Sequence, residues 1–352
     1  MNELHTLQTR QGALFEQSLA VSFGNDDAAL TAIQQEEGLA IADRSHWTWL
    51  HLTGADRQSF LHNQTTNQIQ QLQPGQGCET VFVNSTGRTL DLATVCAGAE
   101  ALDVIASPGQ GGALMTWLDR YLFPADRVEL QNRTGELALF SVFGQPDLPG
   151  LGALDPQAVG SHCELEIAGV AVRAIAGTGL SGPGYTLQVP PDAAATVWAH
   201  LTEQQGALPL GQTAWERLRI LDGRPLPGAE LTPDYNALEA GLWRAISFNK
   251  GCYIGQEIIA RLNTYQGVKQ RLWGLRLSEP VAVGTLLMQG DKKVGRLTSI
   301  SPEPGSERAI AALGYLRTRA GGPGSTLQVG EVMAQVCELP FVKHEYHTNT
   351  AP

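Results

Sequence analysis

The sequence predicts an α+β protein with antiparallel sheets and an all-β C-terminal barrel or sandwich of about 80 residues. Short alternating apolar and polar runs are numerous, and turns drawn from 39 glycines and 19 prolines separate them. Helical periodicity interrupts these runs without the regular strand–helix alternation of a doubly wound sheet. Beyond Gly267 the helical period disappears.

In chain order, Asp26 caps a helix that ends near Gly38, and Leu114, Leu118 and Leu122 mark a second. Glu79–Val83 and Thr89–Cys96 form a hairpin through Asn84-Ser85-Thr86-Gly87. Glu164–Ile167 and Val170–Ile175 form another through Ala168-Gly169. Val197 and Leu201 mark a third helix ending before Gly206, and Thr213–Asp222 is a fourth, stopped by Gly223. Leu238, Leu242 and Ile246 at i, i+4, i+8 predict a fifth. Leu272–Leu277, Lys293–Ile300 and Ala309–Leu316 read as strands of that barrel or sandwich.

With 352 residues the chain has room for two or three domains. At 43% hydrophobic and 17% charged it builds real cores. No uncharged apolar stretch reaches membrane-spanning length, and the N-terminus has no secretory core, so a cytoplasmic protein that engages no membrane is expected. Cys78, Cys96, Cys163, Cys252 and Cys337 are odd in number and form no CxxC pair, which excludes a disulfide framework and a structural zinc site. The net charge of −11 argues against direct nucleic-acid binding. From Ala240 to Arg271, however, Arg244, Lys250, Arg261, Lys269 and Arg271 face only Glu257, a cationic island suited to a small anionic ligand or to a solvated face.

Gly177-Thr178-Gly179-Leu180-Ser181-Gly182 matches the dinucleotide GxGxxG pattern, but Pro183-Gly184 and the alternating Tyr185–Val189 follow it. A dinucleotide site needs a helix there, so this is a turn. The informative segment is Lys250-Gly251-Cys252-Tyr253-Ile254-Gly255-Gln256-Glu257, ahead of a helix carrying Ile258, Ile259 and Leu262. A cysteine just before a helix, two residues after a lysine, is placed for thiolate chemistry, although a small buried residue is the competing reading. No local signature identifies a histidine partner for it. Trp198, Trp215, Arg217, Arg219, Arg224, Trp243, Arg244 and Tyr253 could wall a flat pocket for a planar heterocycle with an anionic tail, or simply fill cores.

The octapeptide starting at Lys250 resembles the signature of the folate-binding YgfZ family, relatives of the glycine-cleavage T-protein (aminomethyltransferase, GcvT). Asn236–Leu242, Ala245–Phe248, Trp215–Ile220, Gly223-Arg224-Pro225, Gly295–Ser299 and Ala312–Tyr315 fit the same family. The resemblance implies a three-domain cloverleaf around tetrahydrofolate, with boundaries here at 1–130, 131–266 and 267–346. It implies a monomer that supports iron–sulfur cluster assembly or repair, including clusters of tRNA-modifying enzymes, with iron–sulfur enzymes or assembly proteins as partners. Cys252 is then the functional thiol and Asp91 a candidate near the folate. Lys250, Tyr253, Gln256, Arg219, Arg244 and Tyr185 become folate contacts, with Arg219 on the glutamate tail. Of the aspartate pair in the aminomethyltransferase, Gly87-Arg88-Thr89-Leu90-Asp91-Leu92 keeps only Asp91. Pro183 stands where that enzyme has a pterin-gripping glutamate, and Cys252 where it usually has no thiol. One-carbon transfer by an aminomethyltransferase is the alternative function, and a cysteine hydrolase lacks a visible base.

Overall fold

The computed structural model describes residues 3–35, 38–302 and 309–347. The chain divides into two compact units, each woven from three segments. Unit 1 comprises Met1–Leu61, Ile69–Glu79 and Ala93–Trp215; unit 2 comprises His62–Gln68, Thr80–Leu92 and Glu216–Pro352.

The elements up to the end of unit 1 are α1 (Glu3–Arg10), β1 (Leu14–Glu16), β2 (Leu19–Ser22), α2 (Asp26–Gln34), β3 (Ala40–Asp43), β4 (Thr48–Thr53), α3 (Arg57–Gln64), β5 (Gly77–Val83), β6 (Thr89–Ala97), β7 (Ala101–Ala106), α4 (Gly111–Asp119), β8 (Glu129–Asn132), β9 (Ala138–Phe143), β10 (His162–Ile167), β11 (Val170–Ala176), β12 (Gly184–Val189), α5 (Ala194–Ala199), β13 (Leu208–Leu210) and α6 (Gln212–Asp222). One sheet has the order β5-β6-β7-β4-β8, a second β10-β11-β12-β9-β3-β13, and β1 and β2 pair as a two-stranded sheet. All pairs in the second sheet are antiparallel except β13 with β3, which run parallel with Leu208 opposite Ala40. That single departure from the expected antiparallel pattern follows from α5, which returns the chain between β12 and β13 as a crossover.

The β10–β11 hairpin turns on Ala168 (φ 52°) and Gly169 (φ 78°), two successive left-handed residues whose twist matches that of the strands. In the β5–β6 turn, the Asn84 side-chain oxygen accepts from the amides of Thr86 and Arg88 and from the Thr86 hydroxyl. Gly177-to-Gly182 leads into β12, not a helix, as its Pro183-Gly184 continuation requires. In the unit 1 core, fully buried Trp198 packs on Phe23 and, edge to face, on Phe140.

Unit 2 holds α7 (Gln256–Thr264) and the strands β14 (Gln270–Leu277), β15 (Leu286–Gln289), β16 (Lys292–Ile300), β17 (Ile310–Arg317), β18 (Thr326–Val329) and β19 (Val332–Cys337). These six strands close into a barrel in the order β14-β17-β16-β15-β18-β19, the barrel rather than the sandwich of the two forms that the alternation beyond Gly267 left open. Leu275, Leu287, Leu297 and Leu327 fill its core.

Three helix expectations change. Asp26 begins α2, yet its carboxylate accepts from the Phe23 amide, the Ser22 hydroxyl and the Gly211 amide, so it ties loops together and caps nothing. Helix α4 ends at Asp119, short of Leu122. The fifth helix is absent, because the segment at Leu238 makes one turn and stops. The Asn236 side chain accepts from the amides of Leu238 and Glu239, and the Glu239 carboxylate accepts from the Asn236 amide, a reciprocal capping box. Gly241, at φ 76°, then ends the turn, with the Leu242 amide bonded back to the Ala237 carbonyl.

Candidate functional site

The signature octapeptide lies in unit 2, against the 62–68 segment and the tip of the β5–β6 hairpin. Gly255 (φ 78°) precedes α7, and a Cβ there would lie 2.6 Å from the Asn84 carbonyl oxygen, so the close approach requires glycine. The Ile254 amide bonds to the Asn63 carbonyl. Held at both points, the loop presents Cys252 exposed to solvent. Buried Ile259 and Asn263 mark the inner face of α7.

Lys250 points the other way. Its ammonium donates to the backbone carbonyls of His62, Thr65 and Asn67 at 2.5–2.7 Å and lies 4.8 Å from the centre of the Tyr253 ring. All three of its protons are taken and the side chain is buried. The expected folate-contacting lysine is therefore a clamp that fastens the octapeptide to the 62–68 segment. The His62 Nε2 atom lies 3.9 Å from where a Cβ on Gly251 would sit. Burial, reinforced by the Lys250 charge, pushes the His62 pKa down to about 4, so the ring is neutral at neutral pH. No spacing rule could have found this histidine, since 188 residues separate its backbone from Lys250.

Arg219 is also not available to a ligand. Its Nε and Nη2 donate to the Glu216 carboxylate, Nη1 to Glu230 and the Arg224 carbonyl, and Nη2 to the Ser299 hydroxyl. With Arg219 only 2% exposed and every N–H engaged, the predicted clamp on a glutamate tail is corrected to a structural bridge between α6 and the barrel strand β16. Burial is the largest single influence and lowers its pKa, but the charges and hydrogen bonds of Glu230 and Glu216 together outweigh it and hold the value above the ordinary one.

Asp91 is fully buried on β6, and its Oδ1 accepts the Leu92 amide. Tyr253 is buried in the unit 2 core, which pushes its phenol pKa up. Gln256 is half-buried at the start of α7. Arg244 is exposed, its guanidinium 3.7 Å from the centre of the Phe341 ring. Tyr185 belongs to the unit 1 core, where its hydroxyl donates to Gln145. The imagined flat aromatic pocket also divides: Trp198 and Trp215 are core residues of unit 1, and Trp243 is a core residue of unit 2. Unit 2 therefore holds Cys252, Asp91, Gln256 and Arg244, with Lys250 and Arg219 as internal supports.

Glu239 escaped the sequence reading, although its Asn-x-x-Glu spacing was the available signal. Burial raises its pKa, while its own bond from the Asn236 amide and Arg88, 3.5 Å away, oppose that shift. Tyr235 stacks on Tyr315 with ring centres 3.5 Å apart, and the Tyr315 hydroxyl donates to the Glu230 carbonyl. Among the described residues no cluster of three or more His, Cys, Asp or Glu could hold a metal ion. An exposed thiol can act as a nucleophile or a soft ligand.

Residues 5–250 match the family model described as the GCVT N-terminal domain. The chain is 40% identical over 349 residues to "Putative transferase At1g60990, chloroplastic" from Arabidopsis thaliana, covering 97% of this chain and 80% of that protein. It is 30% identical to the aminomethyltransferase of Synechococcus elongatus, covering 97% of this chain and 95% of that one. The glycine cleavage system aminomethyltransferase T of Bartonella henselae has a similar fold, with a TM-score of 0.80 at 20% identity over 98% of this chain and 99% of its own. No helix among the described residues is long and apolar enough to cross a membrane.

Proposed function

The chain belongs to the GcvT aminomethyltransferase family, and from that premise we propose that it binds a reduced folate and supports iron–sulfur proteins through the Cys252 thiol. One observation carries the proposal. Of the five cysteines, Cys252 is the exposed one, on a loop pinned by the Lys250 clamp and by Gly255. A thiol fixed in position on the surface suits work on a partner protein better than packing does.

The residues fit a folate in part. Arg244, exposed and flattened on Phe341, suits a glutamate carboxylate, and the buried carboxylate of Asp91 suits the donor edge of a pterin. Gln256 offers a further amide. Arg219 and Lys250 do not fit, since all their N–H bonds are taken. A bound reduced folate supplies one-carbon or reducing chemistry; this chain would hold it and offer the thiol. The proposed partners are iron–sulfur enzymes or their assembly proteins, tRNA-modifying enzymes among them, met by a monomer in the cytoplasm.

Aminomethyl transfer is the second reading, favoured by the 30% identity to a named aminomethyltransferase along nearly the whole chain. Tetrahydrofolate titration by calorimetry tests the shared premise, and absence of binding overturns both readings. A deletion strain then separates them. Lost iron–sulfur enzyme activity, restored by the wild type and not by Cys252→Ser, supports the first; blocked glycine cleavage, restored by both, supports the second.

A further inference from the structure

Helix α7 follows the Cys252 loop directly, so the chain keeps Ile258 within roughly 20 Å of Cys252. Its inner face is Ile259 and Asn263. Along its flank Ile258, Leu262 and Tyr265 recur at i, i+4, i+7, an apolar stripe of the kind a helix normally buries. Here only Leu262 packs against the unit 2 core, while Ile258 is 37% and Tyr265 77% exposed. The β5–β6 hairpin tip borders the start of the stripe, since a Cβ on Gly87 would lie 3.4 Å from the Ile258 Cβ atom. The far end is fixed by a Schellman motif: the Gln266 amide (φ 50°) bonds to the Asn263 carbonyl and the Gly267 amide to the Leu262 carbonyl. An exposed aromatic side chain on so firm a backbone loses little freedom on binding, which is the property of an interface anchor.

The charges around the stripe select what covers it. Of the cations between Ala240 and Arg271, Lys250 is taken up by its clamp and Arg271 lies over the Tyr346 ring, 5.7 Å from its centre. Arg261 and Lys269, four residues before and after Tyr265, are exposed. Lys269 also supports the buried Glu239 carboxylate. Arg261 forms no ion pair among the described residues, although Glu257 stands one turn before it on the same helix. Two exposed cations against one carboxylate, set about an apolar stripe, complement a segment that carries acidic side chains among apolar ones. Isoleucine and leucine offer nothing to phosphates, and a net charge of −11 repels both RNA and a second copy of the chain.

We propose that the α7 flank docks an acidic, apolar segment of a partner protein and so brings that partner to Cys252, an inference that rests on reading Cys252 as a working thiol. The test uses the full chain and a short peptide of alternating glutamate and leucine whose terminal cysteine is activated with 5-thio-2-nitrobenzoate. The Cys252 thiolate attacks the peptide sulfur, a new disulfide forms, and thionitrobenzoate leaves with the electron pair of the old one. The rate at Cys252 is the rate lost in Cys252→Ser. Docking raises the local concentration of the probe, so it should react roughly tenfold faster than counterparts with lysine for glutamate or serine for leucine. Tyr265→Ser and Arg261→Glu, both at exposed positions, should each remove most of that advantage, and Arg261→Glu should speed the lysine probe. Iodoacetamide labelling of Cys252 should stay the same in both, which separates docking from thiol reactivity. Equal rates for the three probes, or an advantage that survives both substitutions, would overturn the proposal. So would binding of a single-stranded RNA oligonucleotide or of phosphatidylglycerol vesicles, or dimerisation in sedimentation, that Tyr265→Ser abolishes, since each gives the stripe another occupant. Restored iron–sulfur enzyme activity with Cys252→Ser in the deletion strain would overturn only the reading of the thiol.

Discussion

At the residue scale, the cysteines differ by burial more than by their neighbours in sequence. Cys96 is buried and its thiol pKa is pushed up, and burial also raises those of Cys163 and Cys337. Cys252 alone is exposed. Brief iodoacetamide treatment at neutral pH, followed by peptide mapping, should therefore label Cys252 first, and equal labelling of Cys163 would contradict this. Lys250 and Arg219 need a different experiment, since both read in the sequence as ligands and both serve the fold. Lys250→Met strands three carbonyl acceptors, each worth about 1–3 kcal/mol when buried and unmet, so a loss of roughly 3 kcal/mol or more in urea unfolding is expected. Arg219→Ala should likewise cut stability by roughly 3–5 kcal/mol, because it leaves Glu230, which is fully buried, without its cation. Normal stability with a tenfold loss of folate affinity would return either residue to the binding site. Charge counting could not separate these cases: the Ala240–Arg271 island was legible, and the direction of each side chain was not.

At the element scale, turn chemistry was the most legible feature. Asn84 with Gly87, and Ala168 with Gly169, specify hairpins through their own conformations, so both appear where expected. The barrel strands were equally plain, since their alternation runs uninterrupted by helical spacing. The failure at Leu238 is instructive. Leu238, Leu242 and Ile246 have helical spacing, yet all three are buried in one core as a turn, a bridge and an extended residue. The apolar period was satisfied by tertiary packing, and Gly241 vetoed the helix. A Cβ at Gly241 would lie 2.6 Å from the Val342 Cβ atom, in a left-handed conformation. Gly241→Ala should therefore destabilise by more than about 1 kcal/mol in chemical denaturation, whereas alanine inside a real helix would stabilise. A stabilised Gly241→Ala variant would mean that the segment is free to become helical.

At the scale of the whole molecule, chain segments interleave. His62–Gln68 and Thr80–Leu92 belong with residues more than a hundred positions later, a pairing that no end-to-end reading of the sequence displays. Interleaving buries titratable groups far from their sequence neighbours, and the histidines register it. His46, His62, His162 and His344 all have lowered pKa values, and in each the largest cause is burial. For His62 and His344 the folded values are about 4, against 6.5 for an ordinary histidine. His344 sits 4.5 Å from the Trp273 ring, and its Nε2 donates to the Leu272 carbonyl. These rings are neutral in the folded chain and take up a proton on unfolding. In that window the unfolded state binds more protons, so stability rises with pH. Their contribution is complete above about pH 6.5 and is lost progressively as the pH falls towards 4. Glu239, its pKa raised by burial, works in the opposite sense and offsets a part of the loss. Melting temperatures measured from pH 7.5 to 4 should fall below about 6.5, before ordinary carboxylates begin to titrate. His344→Gln, which keeps a donor for the Leu272 carbonyl, should flatten that slope, and an unchanged slope would show that this ring takes up no proton on unfolding.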